Sequence, residues 1–323
     1  MPAPAKTPSP TAPEPALRRL RWSAFGTQCE VQYGCADAAR ARAFETAAVA
    51  WVTDFEGKYS RFRPDSLVSR INREAGGKWI EIDAEMEQML DVCGSVYRLS
   101  RGVLDVTTLP LLRLWDDKAE VPRIPSEAEI ARARALVGWP KLQRWNECVR
   151  LPQAGMALDF GGWGKEFAVD QVAGLARRHG LTCALVNFGH AICAIGAAPG
   201  QPAWPLGLED PSHPAAECWA RLAAKDCAVA TSGDYLCGII VEGRRYGHII
   251  DPNTGRPVAN GCRQVTVIAP TCLQAGALST AAFILGPEEG LELIQDMSGC
   301  EAAIVTDQAR HETRGFAHFV VSN

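Results

Sequence analysis

Apolar side chains at Phe44, Ala47, Ala48, Trp51, Val52 and Phe55 recur with helical spacing, share one face and predict an amphipathic helix. Before it, residues 21–33 read as a strand, a turn at Gly26-Thr27 and a second strand. Asp83 is placed to cap a further helix carrying Met86, Met89, Leu90, Cys93, Val96 and Tyr97. Ser126 and Glu129, just after Pro125, have the spacing of a capping box, and the helix they open is expected to end near Gly138. From about residue 140 the pattern changes. Short apolar runs at 184–187, 191–195, 236–241, 264–269, 302–306 and 317–321 predict strands. Helices are expected over 164–179, over 273–285 and from Pro287, a residue suited to a first helical turn. Strands and helices mix without regular alternation, which predicts the α+β class. A break near 120–150 divides the chain without a long linker, so a two-lobed unit with a cleft is expected.

The Pro/Ala-rich start lacks the apolar core of a signal peptide. The expected division is a disordered tail over 1–18 and one domain over 19–323. At 323 residues, 47% of them hydrophobic, the chain is long enough to bury a sizeable core. A formal net charge of −4 with no basic block gives no sign of nucleic-acid binding. No run of about 18 apolar residues occurs, so no membrane span is expected. The twelve cysteines are scattered without a CxxC pair, which weakens a zinc reading and favours their packing as small hydrophobes. A reducing compartment suits them, and the expected location is cytoplasmic. The alternative is a membrane-anchored periplasmic protein whose leader has been removed.

Chemistry is most concentrated in Asp159-Phe160-Gly161-Gly162-Trp163-Gly164-Lys165-Glu166. A strand ends there, glycines turn the chain, and a helix starts. Glycines let a backbone approach an anion, and a helix start offers free N–H groups and a positive dipole end. An ordinary strand-to-helix turn with a solvated lysine is the alternative. His248 precedes the turn Asp251-Pro252-Asn253-Thr254-Gly255 and is either a base or a structural histidine. Thr231-Ser232-Gly233 either binds phosphate or caps a turn. Asp105 either meets a ring N–H or fixes a loop, and His190 lies in a tight turn between strands. Tyr59, Phe62 and Trp115 are stacking surfaces or core aromatics.

In order along the chain, these segments resemble the FAD:protein FMN transferases, also called ApbE-like proteins. The resemblance starts at Phe25-Gly26-Thr27, where the family has Met-Gly-Thr, and continues through Ser60-Arg61-Phe62 and Ser66-Leu67-Val68-Ser69-Arg70-Ile71-Asn72. It then takes in Gly102-Val103-Leu104-Asp105-Val106-Thr107 with Pro110 and Trp115, the glycine turn, the hydroxyl cluster and the His248 segment. Roughly residues 22 to 290 are covered. The resemblance implies a protein that splits FAD at its pyrophosphate and attaches FMN to a threonine of an acceptor flavoprotein. It implies an FAD site lined by Phe25, Phe62, Val103, Leu104, Asp105, Gly161, Phe167 and Ile250, with Lys165, Ser232 and His248 close by. It also implies catalytic roles for His248 and Thr280.

The family's Mg²⁺ ligands fall on the carbonyl of Gly164, on position 276 and on Thr280, with Ser279 adjacent. Position 276 is an aspartate in the family and Gly276 here, so the one charged ligand is missing. Glu166 and His190 stand where the family has glycines. Three readings stay open: another acid, such as Glu166 or Asp251, or FAD's own phosphates with water, holds the ion and transfer persists; the protein binds FAD without transfer, as a carrier, sensor or redox protein; or it is a structural or interaction protein that keeps only the fold, against which the many cleft motifs argue. If the site is degenerate, Gly276→Asp is expected to restore metal binding.

Overall fold

A computed structural model describes residues 17–116, 121–213, 218–235 and 237–321. Its centre is an eight-stranded antiparallel sheet of β1 (Leu17–Ala24), β2 (Thr27–Gly34), β3 (Ala184–Phe188), β4 (Ala191–Ile195), β5 (Cys227–Gly233), β6 (Cys262–Ala269), β7 (Glu301–Thr306) and β8 (Arg310–Glu312). These strands lie side by side in the order in which the chain visits them. Both faces of the sheet are covered, which is why its middle strands read as continuous apolar runs. On β3, Ala184, Val186 and Phe188 face the helices while Leu185 joins the opposite core. That opposite core is closed by the hairpin of Trp204–Glu209 with Cys218–Ala224 and by Phe316.

The helices are α1 (Ala38–Tyr59), α2 (Leu67–Arg73), α3 (Ala84–Leu99), α4 (Leu109–Leu112), α5 (Glu127–Ala135), α6 (Gly164–Arg178), α7 (Cys272–Leu285) and α8 (Pro287–Gln295). With 22 residues, α1 is about 33 Å long and serves both lobes. Ala41, Phe44, Ala48 and Val52 pack on the sheet, whereas Phe55 and Tyr59 enter the core of the second lobe. That lobe is built from α2, α3 and a three-stranded sheet of Ile80–Glu81, Gln143–Trp145 and Cys148–Arg150. The Asp83 cap and the reciprocal Ser126–Glu129 box form as expected.

Several boundaries depart from expectation. β1 begins at Leu17, so Leu17 and Arg18 belong to the sheet rather than to the tail; residues 1–16 lie outside the described residues. The first turn centres on Phe25 and Gly26, both at positive φ (55° and 69°), rather than on Gly26-Thr27. Two positive-φ residues match the twist of a two-residue hairpin. Phe25 is held in this uncommon conformation because its N–H donates to Glu56 Oε1 at 2.7 Å and its ring packs on Phe55 and Phe188. The expected strand at 317–321 is a 3₁₀ turn, Phe316–Phe319, with one bridge from Val320 to Leu222. Complete burial of Phe316 beside Trp219 fixes the turn. The run expected at 236–241 pairs only over Gly238–Val241, and Leu236 lies outside the described residues, as do 117–120 within the expected break.

α7 is buried almost all round, which explains its unbroken run of small and apolar residues. Its first N–H groups are satisfied by Thr271, which accepts from Gln274, and by Asp170 of α6, which accepts from Cys272 (2.8 Å) and Leu273 (2.9 Å). Burial pushes the Cys272 thiol well above its usual pKa, so it packs as a hydrophobe. Replacing Asp170 by Ala is expected to orphan two donors at roughly 1–3 kcal/mol each. Urea unfolding should show a lower midpoint, and an unchanged midpoint would refute this role for Asp170.

Candidate active site

The start of α6, the end of β5 and the middle of α7 converge on a cavity of about 750 Å³. That size falls within the range of roughly 300–1,000 Å³ typical of ligand pockets. Segments 103–106, 207–209 and 248–250 are among the others in its wall.

Its floor is a glycine turn held from below. Asn72 donates to the Leu158 carbonyl (3.0 Å) and accepts from the Leu158 N–H (2.7 Å), which fixes the chain entering the turn. Asp159 then accepts from Gly161 N–H at 3.0 Å and pairs with Arg61 at 3.2 Å. Trp163, the residue before α6, makes no side-chain cap, so no side chain covers the first N–H groups of that helix. Gly161 and Gly162 both line the cavity, but the Gly161 N–H is given to Asp159 and the Gly164 N–H to the Phe160 carbonyl, so this edge can offer an anion only the remaining N–H groups of the turn.

Lys165 adds charge to that edge. Burial works against its ammonium, but the neighbouring Glu166 carboxylate, 3.1 Å away, outweighs this and raises the pKa. Lys165 therefore stays charged at neutral pH.

Three hydroxyls form the second polar group. Ser232 Oγ lies 2.8 Å from Ser279 Oγ and 2.9 Å from Thr280 Oγ1. Ser279 donates to the Gly276 carbonyl at 3.0 Å. Each hydroxyl has one proton, so the direction of the chain is fixed. Thr280 donates to Ser232, Ser232 to Ser279 and Ser279 to Gly276. Thr280 Oγ1 is left with lone pairs, and Thr280 is in the cavity wall.

The cavity brings together Phe62, Val103, Leu104, Asp105, Gly161 and Lys165 with Ser232, His248, Ile250 and Thr280. Phe62 is an exposed rim residue under the Arg61 guanidinium, 4.0 Å from its ring centre. His248 is exposed and His190, at φ 71°, also reaches the wall. Asp105 fixes its loop: it accepts from the Thr107 N–H and hydroxyl and from the Trp139 N–H. Trp115 reaches the wall too, with its indole N–H on the Gly255 carbonyl, whereas Tyr59 is buried in the second lobe.

Four expected residues lie outside the wall. Phe25 and Phe167 pack instead with Phe55, because an aromatic cluster between the lobes claims both rings. Ser279 is 1% exposed and supports Ser232 from behind. Gly164 is the buried first residue of α6. Asp251, one of the acids considered for a cation, also lies outside it and caps its own turn by accepting from Asn253 N–H.

The sequence reading gave no part to Arg61, Asp159, Asn72 or Tyr235. Asn72 ends the Ser66–Asn72 motif, so that signal was present without a role attached to it. Glu166 was noted as a departure from the family pattern, and the structure sets it directly above Gly276. A Cβ added at Gly276 would collide with Glu166 Cγ and stand 3.0 Å from its Cδ. A side chain at 276, as in Gly276→Asp, therefore requires Glu166 to leave its present position. Among the described residues no group of three or more His, Cys, Asp or Glu is arranged to hold a metal.

A sheet of this topology with a glycine turn, a helix start and clustered hydroxyls around one cavity defines an α+β protein with a polar, ligand-sized cleft. The ApbE family model matches residues 25–304, and the chain belongs to the ApbE family. An FAD:protein FMN transferase of Treponema pallidum is 31% identical over 308 residues, covering 88% of this chain and 83% of that protein. The ApbE protein of Thermotoga maritima is similar with a TM-score of 0.86 and 29% identity, over 95% of this chain and all of its own. The apo flavinyl transferase ApbE of Pseudomonas stutzeri gives 0.84 and 27%, over 96% of this chain and 98% of that one.

Asn72→Ala is expected to leave both Leu158 backbone groups unpaired and to loosen the turn that follows. Amide exchange at Gly161 and Gly162 should accelerate while exchange in β3 and β4 stays slow. Unchanged exchange at the glycines would contradict this clamp.

Proposed function

We propose that this chain is an FAD:protein FMN transferase, moving FMN from FAD to a threonine of an acceptor flavoprotein. The observation carrying this reading is the convergence, in one cavity, of the glycine turn, Lys165, the Ser232–Thr280 hydroxyls and His248. Relatives that bear this name, spanning most of the chain, support it.

Val103, Leu104 and Ile250 offer apolar surface to the flat rings of the dinucleotide. Gly162, the start of α6 and Lys165 face its pyrophosphate. The acceptor threonine oxygen attacks the FMN-side phosphorus, the bond to the bridging oxygen breaks, and AMP leaves with that oxygen. His248, exposed at the cavity, takes the hydroxyl proton. The donors also fit a hard cation, because Thr280 presents hydroxyl lone pairs and Glu166, a residue of the wall, has a shielded carboxylate oxygen, Oε2, with no hydrogen-bond partner among the described residues. Thr280, at the cavity wall, would hold Mg²⁺, which when bound neutralises charge on the transferring phosphoryl group. The free cysteines, most of them buried, support a cytoplasmic location. Among the described residues no helix is long and apolar enough to cross a membrane.

The test is incubation with FAD, Mg²⁺ and a threonine-containing acceptor domain. AMP release with FMN attached to the acceptor is expected; intact FAD at saturating Mg²⁺ would overturn the reading. His248→Ala should slow transfer by about 10²–10⁴-fold with FAD affinity kept, the range expected when a general base is lost.

A further inference from the structure

Position 276 and Thr280 are one turn apart on the same face of α7. A carboxylate at 276 would stand beside the Thr280 hydroxyl, but this chain has glycine there. The space is not open. Glu166, reaching across from α6, lays its Cγ and Cδ over the Gly276 Cα, where a side chain of residue 276 would otherwise run. The two positions therefore address one point in space from two helices.

Glu166 is 8% exposed and forms part of the cavity wall. One carboxylate oxygen, Oε1, is 3.1 Å from Lys165 Nζ. The other, Oε2, is shielded and has no hydrogen-bond partner among the described residues. A buried carboxylate oxygen left without a donor is costly, and a cation would remove that cost. The nearby hydroxyl chain is oriented with Thr280 as its first donor, so Thr280 Oγ1 keeps its lone pairs for the cavity. One carboxylate, one hydroxyl oxygen and the oxygens of a bound phosphate are a donor set suited to Mg²⁺ or Mn²⁺.

We propose that Glu166 supplies, from α6, the carboxylate that holds a divalent cation beside Thr280, and that its side chain is what requires glycine at 276. The proposal deepens the transferase reading by naming the charged ligand of that site. It also replaces the degenerate-site account: the acid absent from α7 is present on α6.

The experiment titrates the full chain with Mn²⁺, followed by the electron paramagnetic resonance of the free ion, with and without FAD. FAD affinity is measured separately by flavin fluorescence in metal-free buffer, and folding by thermal melts. Wild type is expected to bind Mn²⁺. Glu166→Gln, which keeps the shape and removes the charge, should weaken Mn²⁺ binding by at least about tenfold in the absence of FAD as well as in its presence, the loss seen even for outer-shell partners. Gly276→Asp alone should lower the melting temperature and give no gain in Mn²⁺ affinity. The exchange Glu166→Gly with Gly276→Asp should recover Mn²⁺ binding to within a few-fold of wild type. Mn²⁺ affinity in Glu166→Gln equal to wild type, or no Mn²⁺ binding by wild type under either condition, would overturn the proposal. Mn²⁺ binding that depends on Glu166 in a chain with no affinity for FAD would uphold it and remove the transferase reading instead.

Discussion

α6 and α7 are fastened to each other at Asp170, whose two carboxylate oxygens accept from the first N–H groups of α7 at Cys272 and Leu273. That bond sets the register of everything nearby. One turn toward the start of α6 is Glu166, and one turn along α7 is Gly276; these two are in contact. The helices thus run past each other in opposite directions, about 5.4 Å per turn on each. A further turn brings the glycines before α6 level with Thr280. The anion-binding edge and the hydroxyl cluster face each other because a cap one helix contributes to the other fixes their offset.

β5 supplies the third point of reference. Ser232 pairs across the sheet with Val265 of β6, so its position is set by the ladder and not by a loop. From there its hydroxyl touches both Ser279 and Thr280. Thr280 is consequently located by its own helix, by a strand, and through Asp170 by a second helix. α7 can lie this close to both neighbours because most of its buried residues are Ala, Gly or Ser. Larger side chains would separate the layers and open the hydroxyl chain.

Much of this was legible in the sequence, where local rules govern. The helix over α1, the caps at Asp83 and Ser126, and the glycine turn before α6 each follow from spacing within a few residues. Most residues that the family resemblance assigns to the ligand site do meet in one cavity. What escaped was set by distant partners. Phe25 and Phe167 read as ligand-facing, but Phe55, on a helix remote in sequence from Phe167, draws both into the seam between lobes. The tail of the chain read as a strand, but complete burial of Phe316 opposite the sheet forces a turn. Asn72 lies 86 residues from the backbone it clamps, so no local pattern could have given it that role.

Glu166 and Gly276 carry the same point into the chemistry. Read one position at a time, each is a departure from the family pattern: a glycine gained a carboxylate, and an aspartate lost one. Read in space, they meet at one point, and the proposal treats them as one change made in two halves. A cation needs an oxygen of the right charge at a point, and it is indifferent to which helix delivers it. Where two helices touch, either can deliver it, provided that the other gives way. Glycine at 276 is what giving way requires, since even a Cβ there meets Glu166. The loss on α7 and the gain on α6 therefore constrain each other sterically before any ion is considered. If Glu166 holds the cation as proposed, the ligand set belongs to the α6–α7 contact as a whole, and its α7 half alone does not decide activity.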